Sequence, residues 1–196
     1  APLLAQYGFD PRAGAHANDD PERAQRRVQI VERIAGTGKG KVLRQQLVAA
    51  AQAWLDGDRA ALDPAWFDRA FAFWIDRGGE KAAQLLVDRA LGSEDPWFRP
   101  RALAAAGSSG LKSVARWMLH ELDDPRFRPS ERLDALSNVM LTRPTRDIGY
   151  AWLDENFAAV AKAGSGIFLA RRTPELFTRY CSVEKADEIA ALYRPR

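Results

Sequence analysis

Apolar residues recur along this chain at helical spacing. Leu111, Val114, Ala115, Met118, Leu119 and Leu122 stand at i, i+3, i+4, i+7, i+8 and i+11, one continuous stripe on a helix. Val28, Val31, Ile34 and Ala35 repeat the pattern earlier in the chain. Trp66, Ala70 and Trp74 fall at i, i+4 and i+8 with Phe67 and Phe71 beside them, so this helix offers a broad aromatic face for packing. Nothing alternates apolar and polar over six residues between turn signals, and no strand is predicted.

The boundaries are marked by two recurring signals. Asp-Pro stands at Asp20-Pro21, Asp63-Pro64, Asp95-Pro96 and Asp124-Pro125. Aspartate accepts hydrogen bonds from the free amides of a first turn, and proline suits the first helical position because its missing N–H would go unsatisfied there. Gly36, Gly57, Gly78, Gly92 and Gly107 stand where helices should close in the left-handed conformation. Helices are predicted near residues 21–35, 39–55, 64–77, 80–91, 96–106, 110–122, 129–142, 146–163, 167–180 and 183–193, with Pro100 and Pro174 kinking or splitting two of them. The Asp-Pro marks are irregularly spaced, which fits helix pairs stacking without a strict consensus repeat. The fold class is therefore all-α, a curved stack of about ten helices in antiparallel pairs.

Composition narrows the picture. Hydrophobic residues make up 46% of the 196 and charged residues 28%, too apolar for a disordered chain and enough for one packed domain over residues 1–196. The net charge of +3 is spread over 29 basic and 26 acidic side chains, weak support for nucleic acid as a partner. No apolar run is long enough to span a bilayer, so the chain reads as soluble with no membrane partner, and its compartment, cytoplasmic or periplasmic, is not written in these residues. The sole cysteine, Cys181, reads as a small core residue, and the six tryptophans as wedges between stacked helices.

The motifs with catalytic overtones fail on inspection. His120-Glu121 opens like the zinc-binding His-Glu-x-x-His, but the fifth position is Asp124 and His16 is the one other histidine. These two residues are expected on the solvated face opposite the Leu111–Leu122 stripe. Gly36-Thr37-Gly38-Lys39-Gly40-Lys41 resembles a phosphate cradle, yet Ala35 and Val42 hold the places of the required glycine and hydroxyl residue, and the segment joins helix to helix. No catalytic residue, metal ligand or cofactor is assigned within this chain. The adjacent pairs Arg26-Arg27 and Arg171-Arg172 could each present one guanidinium to an anion while the other stays solvated; the plain alternative is a solvated helix face.

The last third carries a resemblance. In order stand Pro129-Ser130-Glu131, Tyr150-Ala151-Trp152-Leu153-Asp154-Glu155-Asn156-Phe157, Gly164-Ser165-Gly166-Ile167-Phe168-Leu169-Ala170-Arg171, Cys181-Ser182-Val183-Glu184-Lys185 and Glu188-Ile189. More loosely, Pro2 to Pro11 and Leu55-Asp56-Gly57 fit the same series. Together they resemble the C-terminal helical domain of the aminopeptidase N family of zinc metallopeptidases, especially its puromycin-sensitive and endoplasmic-reticulum branches. Phe157 replaces the usual tryptophan, Ile167 is inserted before Phe168, and Arg172 stands where leucine is usual.

The resemblance implies a HEAT-like, right-handed stack of helix pairs that forms the C-terminal part of a larger multidomain aminopeptidase. It implies that zinc and its ligands reside in the catalytic domain of the same polypeptide, which is the domain's partner together with peptide substrates. Arg171 matches the family arginine, and Arg171 with Arg172 are the candidate substrate-binding residues; the other role open to Arg171 is a tie between two helices. Two readings compete with this one: a free-standing helical-repeat scaffold for a protein partner, and a helical-repeat protein on DNA, which needs basic residues gathered on the concave face.

Overall fold

A computed structural model describes residues 2–37, 40–163 and 173–194. Among these residues the secondary structure is helical and contains no strand. In chain order the α-helices are α1 (Pro2–Tyr7), α2 (Pro21–Ala35), α3 (Lys41–Leu55), α4 (Phe67–Leu91), α5 (Phe98–Gly107), α6 (Lys112–His120), α7 (Pro129–Leu141), α8 (Arg146–Ala163) and α9 (Val183–Leu192). The all-α expectation holds, and α2, α3, α7 and α9 run close to their predicted bounds.

Three of the four Asp-Pro marks do what their chemistry requires. The carboxylate of Asp20 accepts from Arg23 N–H at 2.9 Å and opens α2. That of Asp63 accepts from Ala65 N–H and opens a short 3-10 turn, Pro64–Trp66, leading into α4. Asp95 accepts from Trp97 and Phe98 N–H at the head of α5. Asp124 departs from the expectation. It closes a loop turn on Arg126 N–H, and α7 starts only at Pro129, where the Glu131 carboxylate accepts from Arg128 N–H at 2.9 Å.

The helices expected at 64–77 and 80–91 are both present, joined within α4 across a kink where Gly79 takes the non-helical φ 64° and ψ −148°. Other boundaries need correcting. Of the five glycines expected in the left-handed conformation, Gly57 adopts it and Gly78 yields it to its neighbour Gly79, whereas Gly36 and Gly92 cap their helices in right-handed geometry and Gly107 remains inside α5. Gly107 is small for another reason: a Cβ there would stand 2.8 Å from Asn138 Cβ, where α5 crosses α7. Pro100 does not kink α5, because it lies in the first turn, where its absent N–H costs nothing. Thr173–Phe177, around Pro174, is a 3-10 turn and not part of an α-helix, while the rest of the segment expected at 167–172 lies outside the described residues. The helix expected at 110–122 ends at His120 and tightens into a 3-10 turn, Glu121–Asp123. The Pro2–Tyr7 helix was not anticipated.

The core is continuous from α2 to α9. Its densest part is an aromatic knot: Trp54 from α3 lies 5.0 Å from Phe67 and 5.9 Å from Phe71 on α4, and 4.7 Å from Phe98 on α5, measured between ring centroids. Each such pair contributes about 0.5–1.5 kcal/mol beyond the area it buries. Trp66 and Trp74 are also buried, and Trp117 and Trp152 pack partly buried against the core. Trp97 is the exception among the tryptophan wedges: it is 58% exposed, with the Arg101 guanidinium 5.1 Å above its ring. Cys181 is likewise exposed rather than a core residue.

From α1 to α8, helices adjacent in sequence pack together, and α5 also packs on α7 and α6 on α8. That next-but-one pairing is what stacked helical hairpins produce, since each hairpin lays both of its helices on their counterparts in the next. Two glycine contacts let the stack close up. A Cβ at Gly40, between α2 and α3, would lie 2.1 Å from Ile34 O, and one at Gly149 would lie 2.5 Å from Met140 Cγ, where α8 crosses α7.

Candidate functional site

The residues singled out from sequence fall in different settings. Arg171 and Arg172 lie outside the described residues. In the other pair, Arg27 turns inward: it is 3% exposed, donates through Nε to Tyr7 O at 2.8 Å, and pairs with the Asp19 carboxylate. Arg26 stays on the outer face of α2 beside Glu22. The inward guanidinium ties α1 and the 8–20 loop to α2, so this pair splits into one buried and one solvated cation in service of the fold.

The histidines do not assemble a metal centre. His120 is solvated at the end of α6 beside Glu121, as expected from the stripe on the opposite face. His16 accepts from Asp10 N–H through Nε2 within the 8–20 loop; burial, then the nearby Arg27 charge, lowers its pKa. Among the described residues no cluster of three or more His, Cys, Asp or Glu side chains could hold a metal ion.

Two arginine arrangements missed in the sequence dominate the electrostatics. The first is Arg99, 4% exposed at the start of α5. Its Nε and one Nη reach both oxygens of Glu131 at 2.7 and 2.9 Å; its remaining N–H groups go to Leu91 O at 2.9 Å, Ser93 O at 3.2 Å and Arg126 O at 2.8 Å. A guanidinium has five donors, and all five are satisfied here. One side chain thus binds the end of α4, the loop before α5, the loop before α7, and α7 itself. Burial pushes the Glu131 carboxyl up, but the bonds from Arg99 and from Arg128 N–H outweigh it, so Glu131 titrates below the ordinary glutamate range.

The second arrangement is a cleft of about 710 Å³ between the α7–α8 turn, the first turn of α8 and the segment that leads into α9. Four cations line it, Arg143, Arg146, Arg179 and Lys185, against one carboxylate, Asp147. The inner half is well held. Arg146 donates to Arg179 O at 2.7 Å and lies 4.8 Å from the Tyr180 ring centroid. Lys185 sits 4.2 Å from the Tyr150 ring centroid and pairs with Glu188. The Tyr180 hydroxyl donates to Asp147 at 3.0 Å, and burial, reinforced by that carboxylate, holds the phenol un-ionised well above its usual range. Arg143 and Arg179 are exposed, and neither side chain has an ion-pair or hydrogen-bond partner among the described residues. No local motif announces this cleft, because its two walls are more than thirty residues apart in sequence and only the fold joins them.

A stack of helical hairpins with one cation-lined cleft and no metal cluster among its described residues defines a helical-repeat domain. Its family follows from comparison: the model of the ERAP1-like C-terminal domain matches residues 1–196, and the chain belongs to that family. It is thus a C-terminal domain of the aminopeptidase type. A comparison with curated proteins gives no match.

Proposed function

We propose that this domain serves a zinc-dependent aminopeptidase as its non-catalytic C-terminal part, closing over the catalytic domain, walling the substrate chamber and contacting the distal end of the peptide. The observation that carries the reading is the family match across all 196 residues, on a fold of stacked helical hairpins. Such stacks offer long continuous surfaces suited to lining a space wider than a single-ligand pocket. The zinc, its ligands and the glutamate that activates water belong to the catalytic domain, and His16 and His120 take no part in them.

Within the chamber, a guanidinium on the wall pairs with the carboxylate of the peptide, with Arg171 in that role and Arg172 beside it. A charge-assisted hydrogen bond contributes about 1.5–3 kcal/mol, roughly tenfold to a hundredfold in affinity. In the full-length enzyme, Arg171→Ala raises KM for long peptides by about that factor while a dipeptide-sized reporter, too short to reach the wall, is hydrolysed as before. Unchanged long-peptide kinetics in Arg171→Ala would remove the residue from the binding role. Hydrolysis of an aminoacyl reporter by the purified 196-residue chain alone would overturn the whole reading.

A further inference from the structure

We infer that the cleft between the α7–α8 turn and the start of α9 is a subsite for acidic side chains of the peptide, remote from the residue being cleaved; this rests on the chamber reading above. Charge count comes first. Arg143, Arg146, Arg179 and Lys185 line the cleft with Asp147; Asp147 is engaged by the Tyr180 hydroxyl and lies 3.5 Å from Arg146 Nε, Lys185 is paired with Glu188, and Arg143 and Arg179 leave a surplus of two positive charges. A single terminal carboxylate is matched by one guanidinium fork, so a surplus of this size calls for two or more anionic groups on the same ligand.

The division of labour among the cations is the second point. Arg146 and Lys185 are fixed by a carbonyl, a carboxylate and two tyrosine rings, so their charge is positioned before any ligand arrives. Arg143 and Arg179 stand on opposite walls, exposed and without partners among the described residues, and keep their donors for a ligand. The volume is the third point. The cleft is open to solvent along its length, and about 710 Å³ gives room for several residues of extended peptide rather than one small ion. The Tyr180 ring and Leu141 give the cleft an apolar surface for the peptide to lie on, and Tyr150 braces Tyr180 from behind, 6.0 Å away between centroids and edge to face.

The test uses the 196-residue chain and fluorescent peptides followed by anisotropy. One peptide carries two glutamates and an amidated C-terminus, a second has glutamines in their place, and a third keeps the glutamines with a free C-terminal carboxylate. The glutamate peptide binds at least tenfold tighter than the other two, and its affinity falls steeply as salt is raised. Doubly reversing the charge with Arg143→Glu and Arg179→Glu removes at least about a hundredfold of that affinity, the smallest loss expected for two charge-assisted contacts, with the thermal melt unchanged. Equal affinity for the first two peptides, or an affinity indifferent to the double reversal in a folded protein, overturns the inference. So does full displacement of the glutamate peptide by millimolar inorganic phosphate, which would mark a general anion site. A full-length enzyme whose long-peptide kinetics depend on this domain, with an isolated domain indifferent to acidity, defeats the cleft and spares the chamber. Acid-dependent binding by the isolated domain, with peptide hydrolysis unaffected by distal glutamates, defeats the chamber reading.

Discussion

Arg99 and the arginines of the cleft are the same residue type on the same stack of helices, used in opposite ways. Arg99 is buried at the α4–α5–α7 junction with every donor spent on Glu131 and three carbonyls. Arg143 and Arg179 are exposed at the α7–α8 end, where cations outnumber carboxylates. The difference teaches how to separate scaffold from surface for ligands in a chain with many arginines. A guanidinium whose five donors are all satisfied internally has nothing left for a ligand, whereas one held among like charges without a partner is incomplete until an anion arrives.

The comparison breaks first at Arg99. Arg99→Ala leaves the partly buried Glu131 carboxylate without its guanidinium partner, held by Arg128 N–H, and costs about 3 kcal/mol in urea denaturation. A loss below about 1 kcal/mol would place Arg99 with ordinary surface ion pairs. Protonating the same pair removes part of that stabilisation. Because the folded state holds Glu131 below its unfolded value of 4.5, the contribution is complete above that pH and disappears as pH falls through the lowered folded value. Acid denaturation of wild type therefore starts higher on the pH scale than that of Arg99→Met/Glu131→Leu, which has no charge there to lose.

Smaller effects sharpen the contrast between the two ends. Gly149→Ala forces a methyl into Met140 and Val139 where α8 crosses α7 and costs about 1–3 kcal/mol by thermal or urea melts. Asp20→Ala removes the side-chain acceptor for Arg23 N–H at the head of α2 and costs about 1 kcal/mol. Least of all, Arg143→Gln changes stability by no more than about 0.5 kcal/mol, since its side chain has no partner among the described residues. A drop of several kcal/mol in Arg143→Gln would erase the distinction drawn between the cleft and Arg99.

Much of the fold was legible because it rests on local chemistry. The apolar stripes and the carboxylates of Asp20, Asp63 and Asp95 act within one or two turns of themselves, and they placed α2, α4 and α5 correctly in character. What escaped was tertiary. Gly107 is needed for the approach of α5 to α7, not for a cap. Asp124-Pro125 carries the same signature as the true helix starts but is followed by a second proline, Pro129, which begins the helix. Both electrostatic features were invisible for one reason: Arg99 and Glu131, and likewise Arg146 and Arg179, are more than thirty residues apart in sequence, and no spacing rule links them. The family resemblance was legible in the order of short motifs along 129–190, and the family match over the chain bears it out.

The central claim is that this domain governs peptides by walling a chamber whose chemistry is performed elsewhere, and one assay reaches it most directly. The full-length aminopeptidase, with and without this domain, is compared on peptides of graded length that share one N-terminal residue. The account predicts that removing the domain leaves a dipeptide reporter hydrolysed at close to its normal kcat/KM while the preference among longer peptides collapses. Loss of activity equal at every length, in an enzyme whose catalytic domain remains folded, would contradict it.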